Sequence, residues 1–315
     1  MKARILVLGA DHGIGARIIA ALESSEWATP VTCDVPQLSP EALGQADGIV
    51  NCTGGNAASI RACARAIFSL LGRASAQLRI VHLSSMTIYG AADGDVAETA
   101  EPSGDLGAYA AAHLEAERLA RDYAQSVILR PGCEYGPGCR QWSERVARWL
   151  IERRMGDLGS AGDGRCNLLY VDDLVAAVIA SLKLPDIAGQ VFNLAMSSPP
   201  TWNQYFELFA GALGATPVAR IGRQRLMLET KLLAAPLKVL EILAQRLRVA
   251  RPLIPPPIPP SVATLCRRHL RLDVTKAEAA FGIQWTPLDQ GVQMAAAAFR
   301  SSRPHFKPRS QVTIR

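Results

Sequence analysis

What this chain lacks narrows its identity before any motif is read. Its seven cysteines (Cys33, Cys52, Cys63, Cys133, Cys139, Cys166 and Cys266) are odd in number and contain no C-x-x-C pair. Neither a disulfide framework nor a zinc site is therefore expected, and no metal ligands are assigned; the thiols read as small buried hydrophobes. No stretch resembles a nucleic-acid-binding module. There is no internal repeat, and no low-complexity tract apart from the proline-rich segment Pro252 to Pro260. The apolar run that follows Met1-Lys2-Ala3-Arg4, from Ile5 to Leu8, is too short for a secretory signal or a membrane span, so a cytoplasmic protein is expected.

What is present is ordinary globular material. At 315 residues, 49% hydrophobic and 20% charged, the chain can bury one large α/β core, or a main domain with a smaller lobe. The net charge of +6 is concentrated toward the C-terminal half. Arg220, Arg223, Arg225, Arg246, Arg248, Arg251, Arg267, Arg268 and Arg271 crowd one region, and the tail from Arg300 to Arg315 is basic again. A phosphate-bearing substrate, an acidic membrane surface or plain solvated faces all fit that excess.

Hydrophobic periodicity alternates strand and helix. Ile5 to Leu8 and Gly48 to Cys52 are continuous apolar runs, as strands buried on both faces of a parallel sheet require. Between them, Ile14, Ile18, Ile19 and Leu22 recur at helical spacing, Val31 to Cys33 reads as a strand, and Pro40 to Gln45 as a short helix. Helix 57–71, strand 79–83, helix 109–124 and strand 126–129 continue a pattern that specifies a Rossmann-type doubly wound parallel sheet. Further on, helices are expected at 143–154 and 172–182 and a strand at 191–194. We expect a dinucleotide-binding domain over residues 1–155, to which helix 172–182 and strand 190–194 return, and a smaller C-terminal substrate lobe over 156–315. Within that lobe, Leu226 to Val249 is Leu-rich and amphipathic, broken only by Pro236. A substrate-lobe or dimer helix is the favoured reading there, and contact with a membrane surface the less favoured one.

The chemistry starts at Gly9-Ala10-Asp11-His12-Gly13-Ile14-Gly15, between a buried strand and a helix. Glycines there permit a tight turn, close approach of backbone N–H groups to a pyrophosphate, and close helix packing, with the positive helix end facing the phosphates. Asp34 follows at the interval of a carboxylate that accepts hydrogen bonds from an adenosine ribose, which favours NAD over NADP, and no arginine stands beside it. Only a dozen residues separate Asp34 from the next buried strand, so one strand–helix unit is missing or compressed.

A second constellation is Ser84-Ser85-Met86-Thr87-Ile88-Tyr89-Gly90, followed by Tyr109-Ala110-Ala111-Ala112-His113. With these motifs the sequence resembles the extended branch of the short-chain dehydrogenase/reductase superfamily, the NAD-dependent epimerase/dehydratase family, which reads S-S-x-x-x-Y-G and then Y-x-x-x-K. Further landmarks follow in family order. They are 127–132 (V-I-L-R-P-G) with 135–138 (Y-G-P-G), 170–174 (Y-V-D-D-L), 189–194 (G-Q-V-F-N-L) and 286–291 (T-P-L-D-Q-G). The resemblance covers most of residues 4 to 300.

The resemblance implies Tyr109 as acid/base, Ser85 as the hydroxyl that hydrogen-bonds the substrate oxygen, and His113 in the place of the family's lysine. It implies cofactor contacts from Gly9, Asp11, His12, Gly13, Ile14, Gly15, Asp34, Cys52, Thr53, Gly54, Ser84, Pro131, Gly132 and Cys133, besides Tyr109 and His113. Substrate contacts would come from Ser85, Met86, Thr87 and Arg165. A free phenol titrates near pH 10, and the family's lysine supplies the positive charge that lowers it; an imidazole is shorter and mostly neutral at pH 7. The middle glycine also falls one place later than in the extended branch.

The expected function is NAD(P)-dependent hydride transfer, as an oxidoreductase or an epimerase-type isomerase, at a secondary alcohol or ketone carbon. The substrate is a nucleotide sugar, with a basic pocket around Arg223, Arg225 or Arg165, or a lipophilic hydroxy compound under the helix from Leu226. The alternative is a dinucleotide-binding protein with little or no catalysis, because His113 replaces the lysine. A homodimer through the helices flanking Tyr109 is what the resemblance implies, and the alanines from Ala108 to Ala112 permit close helix packing.

Overall fold

The computed structural model describes residues 2–10, 13–73, 78–246 and 254–303. The chain divides into two compact units, residues 1–134 with 168–197 and 272–285, and residues 135–167 with 198–271 and 286–315. The division falls at Glu134/Tyr135, earlier than the expected residue 155, because helix Arg145–Ile151 packs against helix Trp202–Leu213 of the second unit.

The first unit is built on six strands: β1 (Ala3–Leu8), β2 (Ala28–Cys33), β3 (Gly48–Asn51), β4 (Arg79–Leu83), β5 (Ser126–Pro131) and β6 (Val191–Leu194). All pair in parallel, in the order β2-β1-β3-β4-β5-β6. Alternation along β1 sends Ile5 and Val7 to one face and Leu6 and Leu8 to the other. Ile18 and Leu22 of helix α1 (Ile14–Glu23) cover the first face, together with Leu174 and Val178 of the helix Val171–Lys183. The second face is covered by Ile60, Ala64 and Ile67 of the helix Ala57–Leu71 and by Ala112, Ala116 and Ala120 of the helix Ala108–Arg121. The alanines expected to permit subunit packing thus include Ala110 and Ala112, which are buried within the chain itself.

The expected deficit after Asp34 is real. One 3-10 turn (Val35–Gln37) and the five-residue helix Pro40–Gly44, capped by Ser39 Oγ accepting from Ala42 N at 3.2 Å, carry the chain directly to β3. β2 is therefore an edge strand, with Pro30 paired opposite Ile5. The chain enters β2 on one side of β1 and β3 on the other, which leaves a crevice beyond the carboxyl ends of β1 and β3.

The second unit is mainly helical. Its aromatic core joins Trp202, Tyr205, Phe206 and Phe209 on the helix Trp202–Leu213, which starts at a capping box between Thr201 and Gln204. Pro236 does not break the Leu-rich stretch as expected. Helix Arg223–Met227 opens into a π-helical turn at Leu228–Leu233 and resumes as Ala234–Arg246; the widened turn accommodates the ring and its missing N–H. The expected continuation through 247–249 lies outside the described residues.

Candidate active site

Packing between the turn after β1 and its neighbours explains two of the three glycines. A Cβ at Gly9, where φ is +83°, would meet the carbonyl oxygen of Cys52 at 2.7 Å, and one at Gly15 would meet the carbonyl oxygen of Gly9 at 2.4 Å. Gly13 differs, with φ +62° and nothing within 4 Å of its Cβ position. It is the N-cap of α1, with no side-chain cap and no acidic residue in the first turn. Among the described residues, no side chain caps the first N–H groups of this ten-residue helix, the kind of helix start that suits an anionic oxygen. Asp11 and His12 lie outside the described residues.

Other expected cofactor contacts line the carboxyl ends of the strands. Asp34 is exposed after β2 and makes no capping hydrogen bond. Cys52 donates its thiol to the carbonyl of Leu8 at 3.0 Å, and burial pushes its pKa to about 12, so it is unreactive. Thr53 is held by Asn51 Oδ1 through both its N–H (3.1 Å) and its hydroxyl (2.7 Å), while Gly54 is exposed. Pro131 ends β5, Gly132 N donates to Leu194 O at 2.9 Å, and Cys133 is buried.

Helix Ala108–Arg121 carries Tyr109, the residue expected to act as acid/base. Tyr109 sits at its second position, 47% exposed as a residue, yet desolvation of the phenol and the charge of Glu134 push it above its ordinary value. One turn on, His113 is 5% exposed, and its ring lies edge-on to that of Tyr109 with centroids 4.6 Å apart. Burial pushes His113 down to about 4, with Glu117 pulling weakly the other way. Neither Nδ1 nor Nε2 of His113 has a hydrogen-bond partner among the described residues. Two orphaned nitrogens on one buried ring cost stability unless something outside the chain satisfies them.

Ser85 accepts from Thr87 N at 3.2 Å and from Thr87 Oγ1 at 3.0 Å, which leaves its own hydroxyl proton to donate. Ser84 and Met86 are turned inward, at 5% and 7% exposure, and the Ser84 hydroxyl is committed to Glu117 Oε2 at 2.8 Å. Ser85 and Thr87 form one pair and Tyr109 and His113 another, all four within the first unit, while Ser84 and Met86 are spent on the interior.

Sequence reasoning missed the group behind them. Glu117 is bound by Arg130 through Nη2 and through Nε at 3.1 Å, and by Arg121 at 3.0 Å. Burial alone would raise Glu117, but the two guanidiniums and Ser84 together hold it below the usual carboxylate range. Arg130 also donates to Tyr89 Oη at 2.6 Å, and Tyr89 donates to Asn193 Oδ1 at 2.6 Å. The available signal was spacing, because Tyr109, His113 and Glu117 recur at i, i+4 and i+8 on one helix face. Glu134 is the other omission from the candidate set; burial pushes its carboxyl up to about 7.

In the second unit, a cavity of about 600 Å³ is lined by Gly159, Ser160, Arg220, Arg223, Leu226 and Arg267 among others. Arg220 also pairs with Asp157. Of the expected basic residues only Arg223 lines it. Arg225 instead donates to the carbonyl of Arg153 at 2.6 Å, and Arg165, exposed, donates its backbone N–H to Arg268 O at 2.7 Å.

The model of the NAD dependent epimerase/dehydratase family matches residues 42–195. A curated relative, 2'-dehydrokanamycin reductase of Streptomyces kanamyceticus, is 26% identical over 247 residues, 67% of each chain. Among solved structures, the fold is similar to that of UDP-glucuronic acid 4-epimerase from Bacillus cereus in complex with NAD (TM-score 0.69, 16% identity, 95% of this chain and 97% of that one). It is also similar to dTDP-glucose 4,6-dehydratase from Bacillus anthracis in complex with NAD (TM-score 0.70, 14% identity, 96% and 98%).

Proposed function

We propose that the chain is a member of the NAD dependent epimerase/dehydratase family, whose model matches residues 42–195, and that it transfers hydride between NAD and a secondary alcohol or ketone carbon, in the direction of carbonyl reduction, on a sugar carrying a nucleoside diphosphate. The observation that carries this reading is His113, whose two unpartnered buried nitrogens lie one turn behind Tyr109. The residues present fit a dinucleotide. The uncapped start of α1 at Gly13 would take the pyrophosphate, Asp34 the adenosine ribose, and His113 the hydroxyls of the nicotinamide ribose. When bound, the reduced cofactor supplies hydride.

The protein's own part is proton transfer. Burial and Glu134 keep Tyr109 protonated, and neutral His113 offers no positive charge to reverse that. A protonated phenol is a poor base for an alcohol and a ready acid for a carbonyl oxygen that gains hydride. Ser85 donates the second hydrogen bond to that oxygen, and Thr87 keeps its hydroxyl turned for the purpose. Reduction is also the activity for which the curated relative is named. Within the second unit, three arginines around one cavity suit an anionic ligand. They do not suit a lipophilic alcohol, and the Leu-rich helix that would have roofed such a substrate turns most of its leucines outward.

The test is direct. Reduced dinucleotide is titrated by fluorescence, and its oxidation is then followed with a panel of nucleoside-diphosphate keto sugars. Binding, followed by turnover that requires Tyr109, is expected. Absence of binding by NADH and NADPH at millimolar concentration overturns the reading. The neutral state of His113 favours a second reading, a dinucleotide-binding protein with little turnover, for which binding without oxidation across the panel is the signature.

A further inference from the structure

Outside the candidate site, most of the exposed large apolar side chains of the described residues lie on the helical stretch 223–246. Leu228, Leu232, Val239, Leu240, Ile242 and Leu243 are each 41–67% exposed. Spacings of 4, 7 and 4 residues gather Leu228, Leu232, Val239 and Leu243 into a stripe about 20 Å long. The stretch is fastened from its inner side. Glu229 and Thr230 are buried, and Glu229 accepts from Arg154 Nε at 3.1 and 3.3 Å. The exposed leucines are therefore presented by an anchored element.

The charges on this element select what covers it. Lys231, Lys238 and Arg246 are exposed, and of the three Lys238 is already paired with Glu241. The two acids between Leu228 and Arg246 are both engaged, Glu229 by Arg154, and Glu241 by Lys238 at 2.8 Å and Arg145 at 3.6 Å. A second copy related by a two-fold axis would bring lysine toward lysine, with no uncommitted carboxylate on the stripe to answer it. An apolar stripe flanked by cations is the pattern that an anionic bilayer surface accepts, with leucines in the acyl boundary and ammonium groups at the phosphates. In the sequence, Arg248 and Arg251 follow directly. No helix among the described residues is long and apolar enough to cross a membrane.

We propose that the face formed by Leu228, Leu232, Val239 and Leu243 docks the protein onto an anionic lipid surface. It is independent of whether the candidate site turns over. The test is co-sedimentation of the full chain with vesicles of phosphatidylcholine alone and of phosphatidylcholine mixed equally with phosphatidylglycerol. Binding to the anionic vesicles, weakened by salt and at least about tenfold stronger than to the neutral ones, is expected. Leu232→Glu with Val239→Glu, both at exposed positions, abolishes it while circular dichroism stays unchanged, and Lys231→Glu with Lys238→Glu weakens it. Failure to bind either vesicle, or equal binding to both, overturns the proposal. So does a homodimer in solution that Leu232→Glu dissociates, since the face would then be occupied by a second copy.

Discussion

Two levels of the helix Ala108–Arg121 handle charge in opposite ways. At Glu117 a buried carboxylate meets Arg130, Arg121 and a serine hydroxyl. One and two turns earlier, His113 has no hydrogen-bond partner among the described residues, and Tyr109 is influenced by a carboxyl instead of a cation. The deep positive charge comes from Arg130 on β5, where it neutralises Glu117, and the phenol is left without an ammonium that would ionise it. A group's pKa follows from where its nearest counter-charge is fastened, and here that charge lies behind Tyr109.

The most severe break in that comparison is Tyr109→Phe, which removes the acid and leaves the ring. Carbonyl reduction is expected to fall roughly 10²–10⁴-fold, with dinucleotide affinity unchanged in a fluorescence titration. At the other level, Arg130→Met leaves the buried Glu117 carboxylate with only the half-exposed Arg121 and Ser84 as partners and is expected to cost about 3–5 kcal/mol, read as a lower denaturant midpoint. Pairing it with Glu117→Leu restores most of the loss, because no unpaired charge then remains buried.

His113→Lys makes the two levels alike. A cation near the phenol lowers its pKa by about 1–3 units, so the pH–rate profile for alcohol oxidation shifts to lower pH, and the rate at neutral pH rises in that direction more than in reduction. The smallest effect is expected from Glu134→Gln. With its pKa raised from 4.5 to about 7 by burial, Glu134 keeps its proton in the folded protein after the unfolded chain has released it. Stability therefore falls as pH rises across that window, and the substitution flattens the slope in a pH series of thermal melts. It also removes the charge that raises Tyr109, moving the alkaline limb of the rate profile slightly downward.

The sheet was legible because both of its faces are covered. Continuous apolar strands and a helix–strand alternation leave few alternatives, and the bounds of Ala57–Leu71, Arg79–Leu83 and Val191–Leu194 are those expected from periodicity. The shortened connection after Asp34 was readable from chain length alone. The π-helical turn at Leu228–Leu233 was not, since its pattern of leucines and cations differs little from that of an α-helix. Nor was the inward turn of Ser84. Its neighbour Ser85 is chemically identical, and only the register of the segment after β4 decides which hydroxyl meets Glu117 and which stays clear of it. The Glu117–Arg130 pair belongs to the same class. A strand and a helix must be docked before the two residues meet, so spacing could point to Glu117 but not to its partner.

Dropping the outer strand also changes how the sheet meets other proteins. β2 becomes a border whose backbone could template pairing with another chain. Pro30 interrupts its row of donors in the middle of the strand, and proline is tolerated at such a border because it forgoes a bond that the interior of a sheet would need. The same residue that suits a trimmed sheet thus discourages strand-by-strand aggregation from its open margin.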